Sequence, residues 1–273
     1  DTFTFFLLFF YSNIIGLKPA LAGLAIFIAL CVDAVTDPLM GTISDRTKSS
    51  LGRRHPYMLI SFIPMSLGYV FLFAPRQDWD MSQNDLFVWM TIFTILTRIG
   101  MTLFDIPHRA FGGEVTKNYK ERTLLMSWRE MVGWVAGLSN AFLGYGIFFA
   151  STPEYPQGQL NPDAWFPFAV TGAIFMILSV LYSSLSTKDE IKSLSKWSGS
   201  ISLIDILKEI KIAVGNKSFL IFFFGNLFLS LAWGLANTLT LFVNTYFWEF
   251  EATQIKYFLP IYLLATLAAF YLT

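Results

Sequence analysis

Asp33, Thr36 and Asp37 stand three and four residues apart in the stretch CVDAVTDPLMGTISDR, residues 31–46. Residues at those separations share one face of a helix. The three side chains therefore offer two carboxylates and a hydroxyl toward one point. Hard oxygen donors of this kind suit Na⁺, Li⁺ or a proton rather than a soft metal. Two neighbouring carboxylates do not both stay ionised without a compensating positive charge. Uptake or release of one cation then changes the charge of the whole group. A second set lies in RIGMTLFDIPHRAFGG, residues 98–113, where Thr102, Asp105 and Arg109 share a face and Arg98 is two turns before Asp105. A third stretch, TLLMSWREMVGW, brings Arg129 to a similar depth, with Trp128 one position earlier. Carboxylates and guanidinium groups so placed bind solute hydroxyls by charge-assisted hydrogen bonds. Equally, Asp105, Arg109 and Arg129 are suited to a structural cluster that holds helices together, and Trp128 to stacking on a sugar or to plain packing.

The elements that carry these groups are membrane spans. The chain has 273 residues, 55% hydrophobic and 18% aromatic, and only 14% are charged. Soluble domains carry roughly 25% charged residues, and a mean hydropathy of +0.55 points the same way. Acidic and basic residues balance at 19 each, so net charge says nothing about partners, and no segment carries the basic stripe expected for a nucleic-acid partner. Cys31 is the one cysteine, so there is neither a disulfide framework nor zinc-finger spacing. Apolar runs fall at 2–15, 20–44, 56–75, 86–110, 124–150, 164–186, 218–247 and 255–273. Their length and uniform apolarity predict helices rather than barrel strands. The first run is shorter than the ~20 residues a span needs. It reads as the second half of a helix that starts upstream, and the last run has no stop signal.

Loop charge predicts the orientation. Loops 45–55, 111–123 and 187–217 together hold thirteen Lys and Arg, among them Arg46, Arg53, Arg54, Lys117, Arg122 and Lys188. The alternate loops hold Lys18 and Arg76. The first set is expected in the cytoplasm. Loop 187–217 contains ISLIDILKEIKIAVG, where Ile204, Leu207, Ile210 and Val214 form one face. That pattern fits an interfacial helix between two bundles, or a helix packed beneath the protein. The expected organisation is a helical bundle over 1–186, a connecting loop over 187–217 and the start of a second bundle over 218–273.

A charge at the centre of a span costs about 2.5–3.5 kcal/mol, so the buried ones must pair or line a wet cavity. With ~1.5 Å of rise per residue, Asp33 comes close to the midplane and Asp37 about 6 Å nearer the cytoplasm. No basic residue lies near either on its own helix, so their partner must come from elsewhere. Pro107 is expected to break its helix just after Asp105. His55 and His108 sit beside prolines at membrane-proximal turns and are expected to make polar contacts. The Trp and Phe residues are expected mostly to face lipid or form interfacial belts.

DAVTDPLMGTISDRTKSSLGRRHP resembles the signature between the second and third helices of the major facilitator superfamily. The matching residues are Gly41, Asp45, Arg46, Gly52, Arg53 and Arg54. More narrowly, Asp33, Asp37 and Pro38, then Asp105, Ile106 and Pro107, then EVTKNYKERT and EYPQGQLNP resemble the glycoside–pentoside–hexuronide:cation symporters. The resemblance implies an all-α fold of two six-helix halves, of which this chain holds most of the first and the start of the second. It implies that Asp33 and Asp37, with Thr36 and Thr102 beside them, bind the coupling cation, Na⁺ or H⁺. Asp105 and Arg129 would contact the sugar, with Arg109 and Trp128 nearby. The Asp45, Arg46, Arg53 and Arg54 loop would latch the cytoplasmic side. Two positions depart from the best-known member of that family, since Thr36 stands where that member has an Asn and Arg109 where it has a sugar-contacting Trp. They leave the ion and the sugar open.

The leading expectation is a cation-coupled sugar or glycoside symporter of the inner membrane, monomeric and without a cofactor. A lysolipid symporter of the same fold is the alternative, and a non-transporting sensor a further one. An intramembrane aspartic protease would place its two Asp on different helices, whereas Asp33 and Asp37 share one, so no enzyme is expected.

Overall fold

The computed structural model of the protein describes residues 2–116, 118–193, 212 and 214–272, and among these there is no strand. The helices are α1 (Thr2–Phe9), α2 (Pro19–Arg46), α3 (His55–Ile60), α4 (Phe62–Leu72), α5 (Gln83–Val115), α6 (Tyr119–Leu143), α7 (Trp165–Ser186), α8 (Lys217–Phe242) and α9 (Ala252–Leu272). Short turns of π-helix extend α1, α6 and α8 through Phe10–Ile15, Gly144–Phe148 and Val243–Phe247. Among the described residues six helices are long and apolar enough to cross a membrane, the first Pro19–Arg46 and the last Lys217–Phe247. They fall on the apolar runs within a few residues. The amphipathic pattern of 201–215 lies almost wholly outside the described residues.

Local chemistry sets the helix starts. Pro19 opens α2 at a position where its missing N–H costs nothing. Ser82 and Asp85 form a reciprocal capping box on α5. Asn118 caps α6 by accepting from the Lys120 backbone N–H at 3.0 Å, and Asn216 caps α8 by accepting from Ser218 at 2.9 Å. Pro107 does not end its helix as expected, because α5 runs on to Val115. A proline removes one intrahelical bond and bends a helix, but packed neighbours in a membrane bundle let the helix continue. Pro107 is indeed buried.

α5 is the central element, packed against α2 on one side and α4 on the other, and α4 also packs on α7. The α4–α5 crossing is close because two glycines face it. A Cβ on Gly100 would run into the Met65 backbone, and one on Gly68 would meet Thr97 at 2.5 Å from its hydroxyl. Small residues at such crossings let membrane helices gain dispersion contact without a clash. At the end opposite the basic loops the core is aromatic rather than lipid-facing. Trp165 is fully buried with Phe6, Phe10, Phe73, Phe149 and Phe168. Its ring stacks on Phe73 at 5.9 Å and its Nε1 donates to the Gln159 carbonyl at 3.1 Å. This cluster ties α1, α4 and α7 to the loop that precedes α7.

α8 and α9 join the bundle chiefly at that same end. Leu241, Thr245 and Ile255 are buried there, while every other described residue of α8 is at least partly exposed. Gln157 and Gln159 donate to Thr245 at 3.0 and 3.1 Å, and Tyr246 bonds Asn13 at 2.6 Å. α9 lies along α6, with the Lys256 ammonium 5.4 Å from the Phe142 ring.

The crossing generates a direct test. Gly100→Leu puts a branched side chain where the Met65 backbone stands, and overpacking of a core costs about 1–3 kcal/mol or more. The variant of the complete protein is expected to lose several degrees in melting temperature and most of its monodisperse yield in detergent. A melting temperature equal to wild type would mean that α4 and α5 do not cross this closely.

Candidate functional site

The face shared by α2 and α5 carries a polar layer in the middle of the bundle. Asp33 of α2 forms an ion pair with Arg98 of α5, and the two side chains are 17% and 12% exposed. This is the external partner that the sequence required and did not name. One turn further along both helices, Thr102 donates to Asp37 Oδ1 at 2.7 Å. Asp33 and Asp37 are four apart on α2, and Arg98 and Thr102 are four apart on α5. The two helices therefore mate in register, one pair per turn. Thr36 turns its hydroxyl back toward the Asp33 backbone carbonyl at 3.5 Å. Asp33 Oδ1 and Arg98 Nε are buried with no hydrogen-bond partner among the described residues. Removing one member of such a pair leaves an uncompensated charge, typically at a cost of about 3–5 kcal/mol.

The resemblance implies a coupling cation, Na⁺ or H⁺, at these residues. The donors are hard oxygens, and the unpartnered Asp33 Oδ1 is the kind of atom a cation would take. Against that, the Arg98 guanidinium already rests on the same carboxylate. Among the described residues no three His, Cys, Asp or Glu side chains gather into a group that could hold a metal ion. The arrangement does not match a Na⁺ site made of two free carboxylates.

A second charged group adjoins the first on α5. Asp105, one turn beyond Thr102, receives Arg109 Nε at 2.7 Å from its own helix and Arg129 from α6. Arg129 also reaches Glu130 at 2.9 Å. Arg129 thus bridges α5 to α6, while Arg109 pairs with Asp105 within α5. Yet the group is open: Asp105 is 37% and Arg109 58% exposed. Trp128 is about half exposed, and α6 has no fully buried residue along its helical length. His108 lies over the Phe104 ring at 4.9 Å, nearly parallel to it, while His55 shares a hydrogen bond with Thr187 at 3.0 Å.

At the basic end, Arg54 is buried and bonds both Asp45 and Glu114 at 2.8 Å. Arg53 pairs with the same Glu114. The network joins the end of α2, the start of α3 and the end of α5. Gly52 has φ +75°, a left-handed turn that favours glycine, and it lets consecutive arginines both reach inward. Arg46 is exposed and outside these ion pairs, and Gly41 faces Ile106, where an added Cβ would make ordinary contact at 3.8 Å. Glu114 completes the network and was not singled out from the sequence. Its signal was present, since it opens the motif EVTKNYKERT, but nothing local shows that it faces two arginines some sixty residues earlier.

A family model described as MFS/sugar transport protein matches residues 2–273. The uncharacterized symporter sll1374 of Synechocystis is 33% identical over 192 residues, 68% of this chain and 34% of the relative. The putative glycoside/cation symporter YagG of Escherichia coli is 28% identical over 213 residues, 78% of this chain and 44% of the relative. The isoprimeverose transporter of Lactiplantibacillus pentosus is 24% identical over 265 residues, 96% of this chain and 53% of the relative. The chain spans about half the length of these relatives, or less. With that match running along its described helices, the chain belongs to the MFS/sugar transport protein family.

Proposed function

We propose that these residues form one wall of a cation-coupled symporter for a sugar or glycoside, working by alternating access. The observation that carries the reading is the adjacency of two charged groups on one helix. α5 presents Arg98 and Thr102 to the carboxylates of α2, and one turn later presents Asp105 to Arg129 of α6. A change of charge at the first group alters the field and packing felt by the second. Reciprocal coupling of two ligands requires such a shared, physically connected element. The open Asp105–Arg109–Arg129 group offers donors and acceptors to hydroxyls of a polar solute. The names of YagG and the isoprimeverose transporter support a glycoside. A lysolipid would favour an apolar cavity open to the bilayer, and the charges on α5 and α6 speak against one.

In this reading the basic loops 45–55, 111–123 and 187–217 face the cytoplasm, and the protein works as a monomer in the inner membrane. The Arg53, Arg54, Asp45 and Glu114 network braces the cytoplasmic end of the first bundle. α8 and α9 meet that bundle through Thr245, Tyr246 and Ile255, the end then facing outward.

Two substitutions in the complete protein test the reading. Asp37→Cys is expected to abolish gradient-driven accumulation while solute exchange across the membrane persists. Normal accumulation by Asp37→Cys vesicles would remove Asp37 from coupling. Asp105→Asn is expected to weaken solute binding tenfold or more, because charge-assisted hydrogen bonds contribute about 1.5–3 kcal/mol each. Unchanged affinity in a purified, folded Asp105→Asn protein would reduce the Asp105–Arg129 pair to a bridge between helices.

A further inference from the structure

We propose that Arg98 is a tethered counter-ion that sets the cation preference of the Asp33–Asp37 group and suppresses Na⁺ binding there. The consequence for transport rests on the symport reading, while the binding claim stands on geometry alone. α2 carries no basic residue between Lys18 and Arg46. The positive charge that meets Asp33 comes instead from α5, inside the bundle, on a side chain only 12% exposed. Among the described residues Asp37 receives no such charge, only the Thr102 hydroxyl. The group therefore holds two carboxylates and one guanidinium.

The guanidinium is permanent. Arg stays protonated under all physiological conditions, and the side chain is anchored through its backbone on α5. A dissociable cation must enter beside it. A cation bridging Asp33 and Asp37 would lie within about one helical turn, ~6 Å, of the Arg98 charge. Two unit charges at that separation, at an effective dielectric constant near 20, repel enough to weaken binding on the order of a hundredfold. The guanidinium adds to this through one nitrogen, which holds the Asp33 Oδ2 that a cation shell would otherwise use. Asp33 Oδ1 is left buried and unpartnered among the described residues, an atom that a cation could reach once the guanidinium is gone. The neighbouring charged groups, Asp105 and Arg109 of α5 with Arg129 and Glu130 of α6, pair among themselves beyond Thr102 and, two acids against two arginines, add no net negative charge to offset Arg98. Arg98 is in this sense a specificity residue for the site, acting through Asp33.

The test uses the complete, purified protein and two readouts besides transport: equilibrium binding of radiolabelled Na⁺, and melting temperature in NaCl against choline chloride at equal ionic strength. Wild type is expected to show no saturable Na⁺ binding and the same melting temperature in both salts. Arg98→Gln is expected to gain saturable Na⁺ binding, with affinity raised on the order of a hundredfold, and a melting temperature that climbs with Na⁺. Arg98→Gln strands a buried carboxylate, so it is paired with Asp33→Asn in a charge-balanced double variant. The double variant is expected to fold without Na⁺ and to ignore it. Arg98→Lys keeps the charge and is expected to remain insensitive. Saturable Na⁺ binding by wild type would overturn the proposal without any variant, and so would a folded Arg98→Gln that ignores Na⁺. Uptake measurements separate this from the symport reading. Solute uptake indifferent to every imposed ion gradient defeats symport and leaves the Na⁺-binding comparison to judge Arg98.

Discussion

The rest of the interior depends on two charges that cannot be left alone in lipid. Asp33 sits in a helix with no basic neighbour, and the bilayer offers no water to solvate it. Arg98 on α5 answers it, and the two side chains are mostly withdrawn from solvent. An ion pair of this kind is weak evidence for stability, because desolvation offsets much of the attraction. Its strength is in specification. A one-residue slip of α2 against α5 would strand Asp33 and Arg98 together and break the Thr102–Asp37 bond as well. Register between the two helices is therefore set by polar groups, where the surrounding apolar packing alone would tolerate several alternatives.

α5 carries this consequence through the bundle. On one side it presents Arg98 and Thr102 to α2. Toward α4 it presents Gly100 and Thr97 to Met65 and Gly68, close enough that no larger residue fits without displacement. Beyond Thr102 it presents Asp105 to Arg129, and at its last turns Glu114 to Arg53 and Arg54. One continuous helix, unbroken at Pro107, thus bears each of the charged layers that pair across helices among the described residues. A change in any layer is transmitted to its neighbours by a stiff element rather than by a loop.

The two ends of the molecule are held by different forces. The end with the basic loops is joined by ion pairs of Arg53 and Arg54 with Asp45 and Glu114. The opposite end is joined by stacked and edge-on aromatic rings around Trp165, and there Thr245 and Tyr246 bring in the later helices by neutral hydrogen bonds. Charge pairs are sensitive to water and to competing ions, whereas an apolar aromatic cluster is not. The group at Asp105 lies between them, half open.

The sequence by itself determined the elements. Apolar runs of membrane length, set off by caps such as Ser82 and Asn118 and by charged loops, have one good solution in lipid, because every backbone group must be bonded within its own segment. It also named most of the polar residues of the interior, since an Asp or Arg in an apolar run is costly enough to stand out. What it could not supply was pairing. Arg98 is as close in helical spacing to Thr102 and Asp105 as any partner on α5, and only the packing of α2 against α5 turns it to Asp33. Glu114 reads as an ordinary loop-end acid until the turn at Gly52 brings two arginines to it. Pro107 reads as a helix end until neighbouring helices hold α5 together around it. Each is a contact between residues far apart in the chain, where local periodicity carries no information. The tertiary structure decided them, because it alone fixes which faces of two helices meet.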